Sequence, residues 1–265
     1  MTQRLWALFR KELRTLFASP IAYIVLTVFV ALSGVYFFQH LLNYNRLLFV
    51  FQSGAISGGS FDAGTIPLQV NSLNDLFIPT SNDLSLFLLA VLPLVTMRVF
   101  AEERAQGTDE LLLTTSLRPW EVAMAKHVTT YLFVLLMLAV SAIYPAAVVI
   151  KSHLGMEHLL ALYVGQLGYG MAVAAIGLAC SSLTQSQIVA AVLAYAIPFL
   201  IIDFTWLHPV LSQGVAQVLD EFALQSHFDS FARGVIELRR GLYFGGIIAL
   251  GFTVSVGSME FARAR

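Results

Sequence analysis

The chain has 265 residues, of which 58% are hydrophobic and 12% are charged, with a formal net charge of −1 and one cysteine. Soluble domains carry about 25% charged residues, so this composition excludes an ordinary soluble globule and indicates an all-α polytopic membrane protein, with 1–265 as a single transmembrane domain. The near-zero net charge gives no support for nucleic-acid binding. The lone Cys180 excludes an internal disulfide and a cysteine-based metal site within one chain.

The amino-terminal segment is predicted to be an amphipathic helix that lies in the membrane interface. Its apolar residues fall near one helical face, namely Leu5, Leu8, Phe9, Leu13, Leu16 and Phe17. Its basic residues fall largely off that face, where they can meet anionic membrane lipid. Ser19 and Pro20 then fit an N-cap and a first helical position.

Stretches without formal charge predict six membrane helices, since a spanning helix needs about 20 residues. The predicted spans are 20–41, 82–102, 127–150, 158–180, 187–206 and 241–260. The polar stretch 181–187 is the predicted turn between the fourth and fifth spans. Six spans place both termini on the same side of the membrane.

The distribution of Lys and Arg predicts the orientation. Of the 15 basic residues, ten lie in the amino-terminal segment, the segment 98–126 and the carboxyl tail, and five lie on the opposite side. Both termini and the segment 98–126 are therefore expected to be cytoplasmic. Of the external segments, 43–80 is predicted to be an irregular cap, and the apolar spacing in 207–240 predicts two short amphipathic helices near the outer membrane surface.

The segment Arg98–Lys126, here called the platform, carries 9 of the 31 formal charges of the chain. Gly107 is expected to end a helix that continues the second span, and Thr108 to cap the next, short helix. Pro119 is expected to begin the helix that leads into the third span. A short helix with leucines on one side and acids on the other suits docking in a groove of a partner. A solvated loop with well-capped helices explains the same residues.

Other functional motifs are missing from the sequence. It contains no G-x-x-x-x-G-K-[ST] phosphate loop, so the chain is not expected to be an enzyme by itself. His153 and His158 are five residues apart, and no metal site is expected. Asp203, near the end of the fifth span, is either a boundary residue or a gate residue paired with Arg233 or Arg239.

Three segments carry a resemblance to a known family. The first is R-x-x-A-E-E-R-x-x-G-T-x-E-L-L-L-T-T, beginning at Arg98 and followed by Lys126 before the next span. The second is RKEL at 10–13, and the third is HFDSFARGVI at 227–236. Together they resemble ABC-2 type transporter permeases, and look closest to the gliding-motility and nitrous-oxide-reductase-maturation branches.

The resemblance implies roles for particular segments. The amino-terminal helix would be the connecting helix, and 108–118 a cytoplasmic coupling helix that rests on an ATPase subunit. The residues implied for that interface are Glu102, Glu103, Arg104, Gly107, Thr108, Glu110 and Leu111. The helices of 207–240 would close the outer end of the pathway, and the residues implied for this external gate are Asp203, Phe228, Phe231 and Arg233. The position of Arg118-Pro119 departs from many relatives and leaves the end of the coupling helix open.

The implied function is that of a permease subunit of an ATP-driven exporter in the bacterial cytoplasmic membrane. Two ATPase subunits would bind ATP and Mg, this chain would hold no cofactor, and a second permease chain, identical or different, would complete the pathway. The alternative is a membrane scaffold that anchors partners without moving substrate. A secondary transporter would favour internal repeats and charged residues at mid-membrane, and neither is found in the sequence.

Overall fold

The computed structural model describes residues 2–56, 70–108, 117–152, 156–204, 208 and 212–263. Within these ranges the helices are α1 Thr2–Ala18, α2 Pro20–Ile56, α3 Ile78–Val99, α4 Ala101–Ala105, α5 Pro119–Ser141, α6 Ile143–Ser152, α7 Met156–Leu183, α8 Gln187–Ile201, α9 Gln213–Asp220, α10 Leu224–Ala232 and α11 Leu238–Arg263. A π-helical turn, Leu73–Phe77, leads into α3.

Several helices are long and apolar enough to cross a membrane, which confirms the prediction of a multi-pass α-helical protein. Among the described residues they are Pro20–Ser53, Leu73–Ala105, Pro119–Lys151, Met156–Leu183 and Leu238–Arg263. Helix α8 is apolar but has 15 residues, so it rises about 22 Å where the hydrocarbon core is about 30 Å thick. Five spans are therefore supported, and the sixth stays a prediction.

The first spanning helix is much longer than its charge-free stretch. Helix α2 continues to Ile56, so the irregular cap predicted for 43–80 is wrong for 43–56 and again for 73–80, which are helical. Helices α2 and α3 pack on one another near the end of the predicted first span. His40 of α2 contacts Asp83 of α3 at 2.6 Å, and Phe37 joins Leu76 in an apolar cluster. Residues 57–69 of the predicted cap lie outside the described part of the chain.

Helix α7 lies at the centre of the fold and packs against α3, α5, α8, α10 and α11. Small residues let the neighbours approach closely, as is common between membrane helices. A Cβ atom on Gly165 would lie 2.3 Å from the Cβ of Phe231, and one on Gly177 would lie 2.2 Å from the Oγ1 of Thr96. The glycines of the fourth span thus serve packing within the chain.

The turn predicted at 181–187 is present, since α7 ends at Leu183 and α8 begins at Gln187. The Ser186 hydroxyl accepts a hydrogen bond from the Val189 amide at 3.5 Å and so caps α8. The segment 207–240 contains the two short helices α9 and α10. Gly234, with φ of 82°, ends the turn that follows α10.

The contact between α7 and α3 should be sensitive to a single added methyl group. Gly177→Ala is expected to lower the free energy of unfolding by about 1–3 kcal/mol, because buried Thr96 would have to move. Gly246→Ala on α11 is the matched control, since no atom lies within 4 Å of the added carbon. Melting temperatures of the two purified variants in the same detergent check this. Equal melting temperatures would contradict the close packing.

Candidate functional site

The platform begins at a sharp break between α3 and α4, and one serine of α7 holds this break. The Ser181 hydroxyl accepts hydrogen bonds from the amides of Phe100 at 3.1 Å and Ala101 at 3.0 Å. It donates to the carbonyl of Met97 at 2.9 Å. These backbone groups would otherwise lack partners at a helix end. The start of the platform is therefore fixed to the end of the central helix.

Helix α4 carries the first of the predicted interface residues and ends where the sequence indicates. Gly107 adopts a φ of 67°, a left-handed conformation that favours glycine at a helix end. The Thr108 hydroxyl donates back to the carbonyl of Glu103 at 3.2 Å, whereas the sequence predicts that it caps the following helix. Glu110 and Leu111 lie in 109–116, outside the described residues.

Four charged side chains from α1, α4 and α5 form a closed ring of ion pairs. We call Lys11, Glu12, Glu103 and Lys126 the charge ring. Lys126 lies 3.2 Å from Glu12 and 2.8 Å from Glu103, measured from Nζ to a carboxylate oxygen. Lys11 lies 2.9 Å from Glu12 and 2.8 Å from Glu103. Each carboxylate thus bridges both ammonium groups. The ring joins α1 to the base of α4 and to the first turns of α5.

The charge ring is buried at its centre, which makes its pairing obligatory. Lys126 is 2% exposed and Glu12 is 6% exposed. Lys126 also donates to the carbonyl of Val99 at 2.9 Å and lies 5.3 Å from the centre of the Phe100 ring. A buried charge without a partner is strongly unfavourable. If helix α1 moved away from the platform, the charges of Lys126 and Glu12 would be left either exposed to solvent or buried without a partner.

Lys11 is the more exposed lysine of the charge ring, and its pKa also depends on its carboxylate partners. Partial burial alone would lower the pKa of Lys11, but the hydrogen bond that it donates to Glu103 and the charges of Glu12 and Glu103 outweigh it and raise that pKa above its ordinary value. Lys11 therefore remains charged at neutral pH, and the ring carries two positive and two negative charges. The ring has no net charge to attract a counter-ion.

Two arginines of the platform form further contacts with neighbouring helices. Arg98 pairs with Glu102 at 2.9 Å and donates to the Ser19 hydroxyl at 3.3 Å, where α1 turns into α2. Arg104 donates to the Ser258 hydroxyl of α11 at 2.9 Å. Contacts with α1, α7 and α11 thus surround α4.

Helix α5 begins at the other end of the platform as the sequence predicts. Pro119 is its first residue, and Glu121 accepts a hydrogen bond from the Arg118 amide at 2.9 Å. An apolar cluster supports this start. It contains Leu8, Phe100, Val122, Ala123, Ala125, Leu178 and Met259. Four helices and the break at Phe100 therefore meet at this one end of the molecule.

The comparison with protein families identifies the family of the chain. The family model described as ABC-2 family transporter protein matches residues 56–220, more than half of the chain. The chain belongs to the ABC-2 transporter family. It is therefore a membrane permease component of an ABC transporter, and this family implies association with an ABC ATPase. The comparison with curated proteins gives no significant match.

In this ABC-2 permease the sequence pattern locates the platform but misses how α1 supports it. Glu12 was not predicted as a site residue, although it gives a usable signal. It lies four residues after Leu8 and four before Leu16, within the apolar stripe of α1. A carboxylate in an apolar stripe indicates a buried partner. Which of the distant lysines serves as that partner depends on the tertiary fold.

The predicted gate residues lie at the opposite end of the permease. Phe228 and Phe231 are buried in the main apolar core, where Phe228 contacts Tyr169 with ring centres 6.0 Å apart. Arg233 is exposed, and Asp203 is half-buried in the turn after α8. Arg239, one suggested partner of Asp203, pairs with Glu221 at 2.8 Å. The two phenylalanines attach α10 to the core, and their role as a gate stays a prediction.

Because of the charge ring, we predict that two lysine substitutions differ greatly in their effect on the free energy of unfolding. Lys126→Met should lower the free energy of unfolding by about 3–5 kcal/mol, because it leaves Glu12 and Glu103 with one ammonium group between them. Lys151→Met at the exposed end of α6 is the matched control and should change stability by less than about 0.5 kcal/mol. Thermal unfolding of both variants in one detergent measures the difference. A Lys126→Met protein as stable as the control would exclude an essential ion ring.

Proposed function

We propose that this permease couples ATP hydrolysis on a separate ATPase subunit to movement of a substrate out of the cytoplasm. The observation that carries the proposal is the charge ring. It joins α4 and the start of α5, the two helices that flank 108–118, to α1. The segment 108–118 lies between α4 and α5 in the chain, so a partner that docks on it acts on both helices. The export direction rests on the resemblance to ABC-2 exporters, as does assignment to the gliding-motility and nitrous-oxide-reductase-maturation branches.

The proposed route of the motion follows the contacts of α4. A push on 108–118 reaches α4 through the turn at Gly107, and α4 is held to α1 and α5 by Glu103 of the charge ring. Because these attachments are short and buried, we expect α1, α4 and the start of α5 to move as one body. Helix α3 follows across the break at Phe100.

Movement of α3 reaches α8 directly in this proposal. The two helices pack together, and the Tyr195 hydroxyl donates to the Ala90 carbonyl at 2.7 Å. The second and fifth membrane segments would thus rearrange together around a central cleft. Away from its buried residues Ala190, Ala194 and Pro198, α8 exposes large apolar side chains, with Ile188 77% exposed and Phe199 68% exposed. This apolar surface suits a second permease chain, identical or different.

The proposed assembly contains two permease chains and two ATPase subunits. ATP and Mg would bind to the ATPase subunits, and this chain would hold no cofactor and catalyse no reaction. The proposed location is the bacterial cytoplasmic membrane, with both termini and the platform cytoplasmic. The excess of Lys and Arg at this end supports that orientation, and the Arg104–Ser258 contact brings the end of α11 beside the platform.

Charge reversal on the platform tests the docking surface. Glu110→Arg is expected to reduce the amount of ABC ATPase that co-purifies with the permease about tenfold, because a wrong charge at an interface costs at least about 1.4 kcal/mol. Glu237→Arg, on an exposed residue at the opposite end, is the matched control and should leave co-purification unchanged. The two variants are expressed with the ATPase in parallel and compared at the same salt concentration.

The same preparations separate a transporter from a scaffold. In lipid, the permease should change the ATPase rate of its partner, and Glu110→Arg should remove this effect. A scaffold would bind the ATPase and leave its rate unaltered. If Glu110→Arg neither weakens co-purification nor alters the rate, the docking assignment is wrong.

A further inference from the structure

A large cavity lies beside the charge ring and extends into the membrane-spanning part of the fold. Its volume is about 890 Å³, near the upper end of the roughly 300–1,000 Å³ that is usual for small-molecule sites. It is bounded by α1, the start of α2, the end of α3 with α4, and the first turns of α5. It shares Glu102, Glu103 and Thr108 with the predicted ATPase interface, but most of its lining lies outside that interface.

The lining of this cavity changes from apolar to charged along its length. At the membrane end it is lined by Ile21, Ala22, Leu94 and Val95. At the platform end it is lined by side chains that include Glu102, Glu103 and Gln106. Leu94 lies within α3, and Gln106 follows α4 on the other side of the break at Phe100. A ligand that fills this space needs an apolar portion at one end and a polar head group at the other.

Two residues of the lining each have a buried polar atom without a partner within the described part of the chain. These atoms are Nε of Arg98 and Oγ1 of Thr129. Thr129 is 3% exposed, and most buried polar groups in proteins are hydrogen-bonded. The N–H of Arg98 and the hydroxyl of Thr129 are both hydrogen-bond donors, so a phosphate oxygen could accept from each of them.

The charges of the lining select between head groups. Three cationic side chains, Lys11, Arg98 and Lys126, face three anionic ones, Glu12, Glu102 and Glu103. Their sum is zero, so the cavity offers no excess of positive charge for an anionic lipid. Glu102 is 34% exposed at its side chain and pairs with Arg98. It can also accept from an ammonium group, which a zwitterionic head group carries beside its phosphate.

We propose that this cavity binds one membrane phospholipid with a zwitterionic, ammonium-bearing head group. The phosphate accepts from Arg98 Nε and the Thr129 hydroxyl, the ammonium group contacts Glu102, and an acyl chain lies against Ile21 and Leu94. The lipid thus fills the space between α1 and α3 beside the ring. This site is independent of whether the permease couples to an ATPase.

Native mass spectrometry of the full chain tests the proposal. The protein is reconstituted in an equimolar mixture of phosphatidylethanolamine and phosphatidylglycerol, transferred to mild detergent and weighed with its retained lipid. We expect one retained phosphatidylethanolamine per chain. Leu94→Trp fills the apolar end and should reduce occupancy about tenfold, a loss of about 1.4 kcal/mol. Leu86→Trp, at a 52% exposed position on the same helix outside the cavity, is its control.

A second pair of variants keeps the volume and removes only the hydroxyl. Thr129→Val should reduce occupancy several-fold, whereas Thr27→Val on the exposed face of α2 should not. This pair decides the question if the larger side chain prevents folding. Full occupancy in both Leu94→Trp and Thr129→Val overturns the site. Release of the lipid by millimolar inorganic phosphate would show that phosphate alone is recognised, and equal retention of the two lipids overturns the zwitterionic assignment.

Discussion

The buried pairing of Lys126 with Glu12 and Glu103 is the constraint on which the platform depends. These groups are 3.2 Å and 2.8 Å apart across three different helices. A charge in this position is tolerated only while its partners stay in place. The position of α1 is therefore fixed relative to α4 and α5. Lys11 completes the ring on its more exposed side, so each of the two carboxylates forms ion pairs with two ammonium groups.

The rest of the fold places this ring at the end of a rigid bundle. Glycines of α7 allow α3 and α10 to pack closely on it, and Ser181, at the end of α7, holds the break where the platform begins. The opposite end is fixed by apolar packing around Phe228 and Phe231. Ion pairs are present at that end too, such as Arg239–Glu221, in which both side chains are more than half exposed. The buried charges of Lys126 and Glu12 distinguish the platform end.

The sequence predicts well what depends on local chemistry. Apolar stretches indicate the membrane helices. Gly107 indicates the turn after α4, and Pro119 with Glu121 indicates the start of α5. Features that depend on distant contacts were missed or misjudged. The extension of α2 to Ile56 passes Arg46, where the charge-free stretch ends. The ring joins residues 114 positions apart, and no spacing rule relates Glu12 to Lys126.

The most direct test of the account measures distances between spin labels in the ATP-free and ATP-bound complex with the ATPase. Labels at Arg10 on α1 and Gln106 after α4 occupy exposed positions on the two elements that the ring joins. A third label at Ile188 on α8 reports on the neighbouring helix. We predict that the 10–106 distance stays constant while the 106–188 distance changes with nucleotide. A 10–106 distance that changes with nucleotide would contradict movement of α1 and the platform as one body.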